Sequence, residues 1–417
     1  MPRDSGSRLG NGFLAPLGRA AEQHGGVVPD RMLFTCRPLA GHFEPLVSLA
    51  RAAKASGHVV AFATGEPYAS RARQAGFEAF RAGPGEDFRT EWAPRFPGFD
   101  RLVGDAQRHF FLTEIFANLE LAPRADDLEI IVENWRPQLL VHEVAELAAP
   151  LVGSAHGLAY VDVSYGALIG SSLLRAAGEA AAPHWRARGL EPHAVAGLFR
   201  YLYVDTCPPS LQNPEIASIS AVQLLRPAAA ELPDADPPEW LDRLSSAAAI
   251  VYLTMGTVWN QDLDIFRSVI SAIRDEDIAL IITVGRQNDP ASLGPPGANV
   301  VVRQYIPQGV LLPRCDAVVT HGGAGTTLGA LAFGVPLLVL PQGADQYANA
   351  ERVVAAGAGR QLFKHELSVT AIRGALLDVL RDASYRRSAR RLQAEIREMP
   401  DAHQAVKRIE TLRSQHS

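Results

Sequence analysis

Cysteine is scarce: Cys36, Cys207 and Cys315 are the whole complement of 417 residues, odd in number, far apart and in no metal-ligand spacing. Such a set excludes a disulfide framework and reads as reduced thiols in a cytoplasmic protein. Long hydrophobic runs are missing too; nothing approaches the roughly 18 apolar residues of a membrane span. Positive charge is not in excess. The 40 Lys and Arg face 45 Asp and Glu for a formal net charge of −5, which sets nucleic acid aside as the main partner. Residues 1–30 lack the compact apolar stretch of a secretion signal and read as a mobile N-terminal extension. Three chemical signatures are absent: a Walker loop, a Gly-x-Gly-x-x-Gly turn after the first strand, and a nucleophile elbow. His142, Glu143 and His156 lie close in sequence, but no two-histidine helical spacing or paired-carboxylate motif supports a metal site.

What is present is alternation. With 47% hydrophobic and 20% charged residues the chain is an ordinary globular one, and its length exceeds what one core supports, so two domains are expected. Strands are expected at Met32–Cys36, His58–Ala63, Leu139–His142 and Tyr160–Val163. Helices are expected at Glu44–Ser56, Glu66–Gln74, Asp126–Asn134 and Ala148–Ala155, and residues 166–200 look helical. The stretch from Gly83 to Leu121 is irregular and aromatic, carrying Phe88, Trp92, Phe96, Phe99, Phe110, Phe111 and Phe116. Seven prolines between Pro208 and Pro238 mark a linker, placed at 213–238. Alternation then resumes with strands near Ala249–Thr254, Ala279–Val284, Val300–Arg303, Asp316–Thr320 and Pro336–Leu340, and a short one at Arg360–Phe363. The tail from Leu367 is helical and broken by Pro400. The expected fold is α/β, with two Rossmann-like, doubly wound domains (31–212 and 239–399) facing across a cleft and a C-terminal helix at 400–417 crossing back to the first.

The unusual residues of the second half follow its strands. Met255-Gly256-Thr257, Tyr305-Ile-Pro-Gln308, His321-Gly-Gly-Ala-Gly-Thr-Thr327 and Pro341-Gln-Gly-Ala-Asp-Gln346 would line the carboxyl edge of one parallel sheet, where ligands bind. Gly322, Gly323 and Gly325 let the backbone approach a ligand, and the helix that follows offers unpaired N–H groups and a positive dipole end. That suits a diphosphate, with His321, Thr326 and Thr257 as further donors. Asp345 stands where a helix should begin and reads as an N-cap; beside Gln346 it can also serve neighbouring hydroxyls of a sugar. In the first half His42, on the loop after the first strand, is the leading group for proton transfer. Glu143 could hold the resulting imidazolium, with Glu146 as its competitor. The aromatics between Phe88 and Phe116, with apolar residues near Tyr165–Leu174, are either a flat pocket or ordinary core.

These motifs resemble those of the inverting, metal-independent nucleotide-sugar glycosyltransferases of GT-B fold, above all the actinobacterial enzymes that decorate antibiotics and related natural products. The resemblance runs from about Met32 and is most specific over Asn299–Gly357. Gly41-His42-Phe-Glu-Pro-Leu is similar to the segment holding the catalytic histidine, and Arg136-Pro-Gln-Leu-Leu-Val-His-Glu143 to the segment of its acidic partner, usually aspartate. The resemblance implies that Tyr305 stacks on the base, Gln308 contacts base or ribose, and His321, Gly322, Gly323, Gly325 and Thr326 hold the diphosphate. Asp345 and Gln346 would hold the donor sugar. Gly329 stands where plant members carry a ribose-binding glutamate, which fits a bacterial enzyme. The first domain would then bind the acceptor and the second a TDP- or UDP-sugar, with no further cofactor. The partners implied are a nucleotide sugar carrying a sugar or deoxysugar and a small hydrophobic acceptor; a homodimer stays open. Two alternatives stand beside this reading: a nucleotide-sugar 2-epimerase of the same fold, and a non-catalytic auxiliary protein.

Overall fold

In the computed structural model, residues 29–228, 238–244, 247–295 and 297–416 are described. The expected N-terminal extension, apart from its last two residues, and the 229–237 part of the expected linker lie outside the described residues.

Two parallel sheets are built, each from strands whose apolar runs are buried on both faces, as sheets covered by helices require. The first contains β1 (Arg31–Thr35), β2 (Val59–Thr64), β3 (Glu78–Arg81), β4 (Leu139–Glu143), β5 (Ala159–Val163), β6 (Leu202–Asp205) and β7 (Val222–Leu224). The second contains β8 (Ala249–Thr254), β9 (Ile278–Thr283), β10 (Val300–Arg303), β11 (Ala317–Thr320), β12 (Leu337–Val339) and β13 (Gly359–Gln361). Their orders, β3-β2-β1-β4-β5-β6-β7 and β10-β9-β8-β11-β12-β13, share one plan: the winding reverses between β1 and β4, and again between β8 and β11. Both sheets are thus doubly wound, as expected, and each has a crevice at its reversal point.

The differences from expectation have identifiable causes. β3 and β7 are short edge strands, partly exposed, and too small to leave a pattern. β7 lies inside the stretch read as linker, so chain pairing continues to Leu224. The aromatic stretch is more helical than its pattern suggests: helix Gly104–Phe110 runs through a π-helical segment, Phe111–Glu120, into helix Leu121–Trp135. Wider winding there breaks the 3.6-residue spacing that a sequence pattern relies on. Conversely, helix Ser171–Ala187 stops well short of residue 200, because Gly189, Ala196, Gly197 and Phe199 all take left-handed backbone conformations.

The tail returns to the first domain. Helix Ala402–Gln415 starts at a reciprocal cap between Asp401 and Gln404. Its Ala405, Val406, Ile409 and Leu412 then join the core formed by Met32, Phe34, Leu46 and Leu49.

Candidate active site

At the first reversal point the loop after β1 meets the end of β4. His42 is in the first turn of helix Ala40–Ala55, not on the loop expected for it. Gly41 looks like loop punctuation, but burial of Leu46, Leu49, Ala50 and Ala53 outweighs its poor helix propensity and that of Pro45. His42 Nδ1 lies 2.9 Å from Glu143 Oε1, with the carboxylate fully buried. The two atoms are close without forming an aligned hydrogen bond. Glu143 is fixed by backbone amides: Arg37 N donates to Oε1 at 3.2 Å and Ala145 N to Oε2 at 2.6 Å. Burial pushes its pKa up, but the charges of His42 and Arg37 and the amide of Ala145 win and hold it below the ordinary carboxylate range.

Glu146 does not compete. Its oxygens accept from Ala148 N and Ala149 N at 2.9 and 3.1 Å, capping the helix Ala148–His156. His142 turns the other way along β4, its Nε2 lying 3.1 Å from Asp162 Oδ1 on β5. His142 and Glu143 thus serve different partners, and His156 is an exposed residue at a helix end. Among the described residues no three His, Cys, Asp or Glu side chains form a metal-holding group.

At the second reversal point β8 and β11 deliver Gly256 and His321 side by side. A Cβ on Gly256 would lie 2.5 Å from His321 Cε1, and one on Gly323 would lie 2.6 Å from Nε2, so the imidazole fits only between two glycines. Gly322 has φ +89° and its Cα faces Val339 and Gln346, which explains the glycine there. Burial lowers the His321 pKa to about 4, against a raising contact from the Thr254 backbone; the ring is neutral at pH 7. Helix Ala324–Ala332 opens immediately afterwards, and a Cβ on Gly325 would meet nothing within 4 Å. The helix start is therefore open on the side of Gly325, and its first amides have no earlier helical turn to bond to. Thr326 is buried and its Oγ1 accepts from Gln308 Nε2 at 2.9 Å, while Thr257 is exposed on the loop after β8. Tyr305 is 51% exposed, with the Arg286 guanidinium 4.0 Å from its ring centre.

Asp345 immediately precedes helix Gln346–Ala355 but makes no side-chain cap; Asn349, one turn on, donates to its Oδ2 at 2.8 Å and to Gly322 O at 2.9 Å. Burial raises the Asp345 pKa, and the Asn349 hydrogen bond and the charges of Arg108 and His42 moderate the rise. Gln346 is buried, and its carbonyl oxygen accepts from Gln342 N and Gly343 N at 2.8 and 3.1 Å. Only its amide nitrogen is left for a ligand.

The two halves meet here. Tyr165, just past β5, packs its ring 4.9 Å from that of His42. Its neighbour Gly166 abuts Ala324, where a Cβ would come within 2.8 Å. The dyad and the helix start therefore border one cleft. Sequence reasoning grouped Tyr165 with apolar pocket residues and missed its place on His42; it also missed Arg37 and Asn349. The i, i+4 spacing of Asp345 and Asn349 at a helix start was a usable signal. The Phe88–Phe116 aromatics resolve as a satellite core: Trp92 sits among Phe96, Phe99, Phe110 and Phe111 at ring separations of 4.9–6.3 Å. Phe116 underlies the Arg37 guanidinium at 3.5 Å. Leu168, Ile169, Leu173 and Leu174 are buried core.

Two doubly wound domains whose reversal points share one cleft, one carrying a His–Glu pair and the other a glycine-lined helix start, define a GT-B glycosyltransferase. The chain belongs to the family described as erythromycin biosynthesis protein CIII-like, whose N-terminal domain matches residues 51–256 and whose C-terminal domain matches residues 267–412. It is 32% identical to L-demethylnoviosyl transferase of Streptomyces niveus, over 88% of this chain and 93% of that protein. With 4'-demethylrebeccamycin synthase of Lentzea aerocolonigenes it shares 29% identity, over 92% and 99% of the two chains. Among solved structures, a spinosyn rhamnosyltransferase superposes with a TM-score of 0.77 at 25% identity, covering 91% of this chain and all of that one. That rhamnosyltransferase has also been solved with thymidine diphosphate.

Proposed function

We propose that this glycosyltransferase moves a hexose or deoxyhexose, in one displacement with inversion, from a TDP- or UDP-sugar to a hydroxyl of a small apolar natural product. The observation that supports the proposal is the line of contacts from His42 through Tyr165 and Gly166 to Ala324, which brings an imidazole and a helix start to one cleft; in this reading the first takes the proton and the second receives the anion. Glu143 engages Nδ1 of His42, and Nε2 takes the acceptor's proton as its oxygen attacks the anomeric carbon. The bond from that carbon to the phosphate oxygen breaks, and the nucleoside diphosphate leaves. Its charge is met by the first amides of helix Ala324–Ala332, by the neutral imidazole of His321 and by the hydroxyls of Thr326 and Thr257. These donors are fixed before the reaction, so no cofactor beyond the nucleotide sugar is required. Asp345 and the Gln346 amide nitrogen serve the sugar hydroxyls, Tyr305 the base, and Gln308 the base or ribose. The thymidine diphosphate complex of the similar rhamnosyltransferase supports thymidine as the base. Free, buried thiols at Cys36, Cys207 and Cys315 support a reducing, cytoplasmic setting.

The test is a panel of TDP- and UDP-sugars against hydroxylated polyketide and macrocyclic acceptors, with EDTA present, read by mass spectrometry. Glycosylated acceptor and equimolar nucleoside diphosphate are expected, with an inverted anomeric centre by NMR. An epimerised sugar from donor alone, or tight nucleotide binding with no acceptor modified across the panel, would contradict transfer.

A further inference from the structure

The donor-sugar loop is held from the opposite domain. Three consecutive amides, those of Gln342, Gly343 and Ala344, point inward from the loop between β12 and helix Gln346–Ala355. The first two donate to Gln346 Oε1, within their own domain. The third donates at 2.7 Å to Oε1 of Gln107, 237 residues away on helix Gly104–Phe110 of the first domain. Gln107 is 4% exposed and Ala344 half-buried, so this hydrogen bond is partly shielded from water. Ala344 needs the restraint, because its φ of +53° is a left-handed conformation that alanine rarely takes. The contact is also tight. A Cβ on Gly343 would lie 2.3 Å from the Trp259 ring and 2.7 Å from Gln107 Oε1, which is why this residue is glycine. Asp345 follows directly, and Arg108, next to Gln107, acts on it electrostatically.

We propose that Gln107 is a positioning residue for the donor sugar: by holding the Ala344 amide it sets the backbone turn that presents Asp345 to the cleft, so that the acceptor domain completes the sugar site of the donor domain. This rests on the assignment of Asp345 to the donor sugar. It gives the interface a role in transfer, since the loop takes its final shape only when the two domains are in contact.

Three variants test it: Gln107→Met, which keeps the length and removes the acceptor; Gln107→Glu, which keeps an acceptor oxygen; and Asp345→Asn. Amide exchange read at Ala344 should rise in Gln107→Met and return towards wild type in Gln107→Glu. Unchanged exchange in Gln107→Met overturns the hydrogen bond as a restraint. In calorimetry, Gln107→Met should weaken nucleotide-sugar binding by about 5- to 30-fold, the usual effect of removing one partner of a buried hydrogen bond, and leave nucleoside diphosphate binding unchanged. On the Asp345→Asn background the same substitution should add little, because both changes act through one contact. Fully additive losses, or equal weakening of both ligands, overturn the positioning role. If wild-type protein binds the nucleotide sugar no better than the diphosphate while Ala344 stays protected, the sugar assignment of Asp345 fails and the positioning role fails with it, but the hydrogen bond stands.

Discussion

Replacing Glu143 by glutamine removes a charge and almost no volume, and its effect can be worked out in advance. Nδ1 of His42 and Oε1 of Glu143 are 2.9 Å apart, and the carboxylate has no exposure to water. Unit charges about 4 Å apart at an effective dielectric near 20 attract by about 4 kcal/mol. A proton half transferred in the transition state realises roughly half of that, about 2 kcal/mol, or about 30-fold in kcat. There is also a structural cost. Both carboxylate oxygens accept backbone amides, from Arg37 and Ala145, so a glutamine NH2 must face one donor or the other. That mismatch should lower stability by ~1–3 kcal/mol. The assay is steady-state transfer at saturating donor and acceptor, beside calorimetric nucleoside diphosphate binding and thermal unfolding. The reasoning predicts a fall of about 30-fold or more in kcat, unchanged nucleotide affinity and a lower Tm. A kcat within about threefold of wild type, in folded protein, would refute the dyad.

Further consequences are open to measurement. His42→Ala should reduce turnover by roughly 10²–10⁴-fold, the range of general base catalysis, with nucleoside diphosphate affinity intact by calorimetry; a loss of a few-fold only would remove it as the base. His321 has a folded pKa of about 4, below the ordinary imidazole value, so between about pH 6.5 and 4 the unfolded chain binds the extra proton. Its contribution is present above pH 6.5 and is lost as pH falls through that window, by up to about 3 kcal/mol. His142, whose pKa is raised despite burial by Asp162, acts in the opposite sense, so denaturant unfolding of wild type and His321→Asn at pH 7 and 4.5 must be compared. Equal pH slopes in the two proteins would contradict the neutral, buried imidazole. Gly256→Ala should cost ~1–3 kcal/mol, since φ is +72° and the new methyl meets the His321 ring; wild-type unfolding and wild-type nucleotide binding together would refute the fitted slot.

The donor half was more legible than the acceptor half, for physical reasons. Long buried strands such as β8 and β9, with glycine or proline punctuation close by, state their type and their edge, so four polar segments could be placed at the carboxyl ends of strands in one sheet without coordinates. In the first half the signals were weaker. His42 reads as a loop residue because Gly41 precedes it and the apolar helical spacing starts only at Leu46, and tertiary burial decides the helix. Phe110, Phe111 and Phe116 defy periodicity because the winding itself changes at Phe111. The choice between Glu143 and Glu146 could not be made from spacing alone; it turns on which side chain the amides of the loop and of helix Ala148–His156 engage. Contacts between distant segments, such as Gln107 with Ala344, leave no local pattern at all.

The claim on which the rest depends, that the helix start at Ala324 receives a pyrophosphate, has a direct test in Gly325→Leu. A Cβ at 325 meets nothing within 4 Å and leucine is the better helix former, so the fold should persist, with stability equal to or above wild type. Calorimetric titration with thymidine diphosphate should then show binding weakened by ~100-fold or more, because the new side chain fills the place of the phosphates. A folded variant that binds thymidine diphosphate as wild type does would contradict the account.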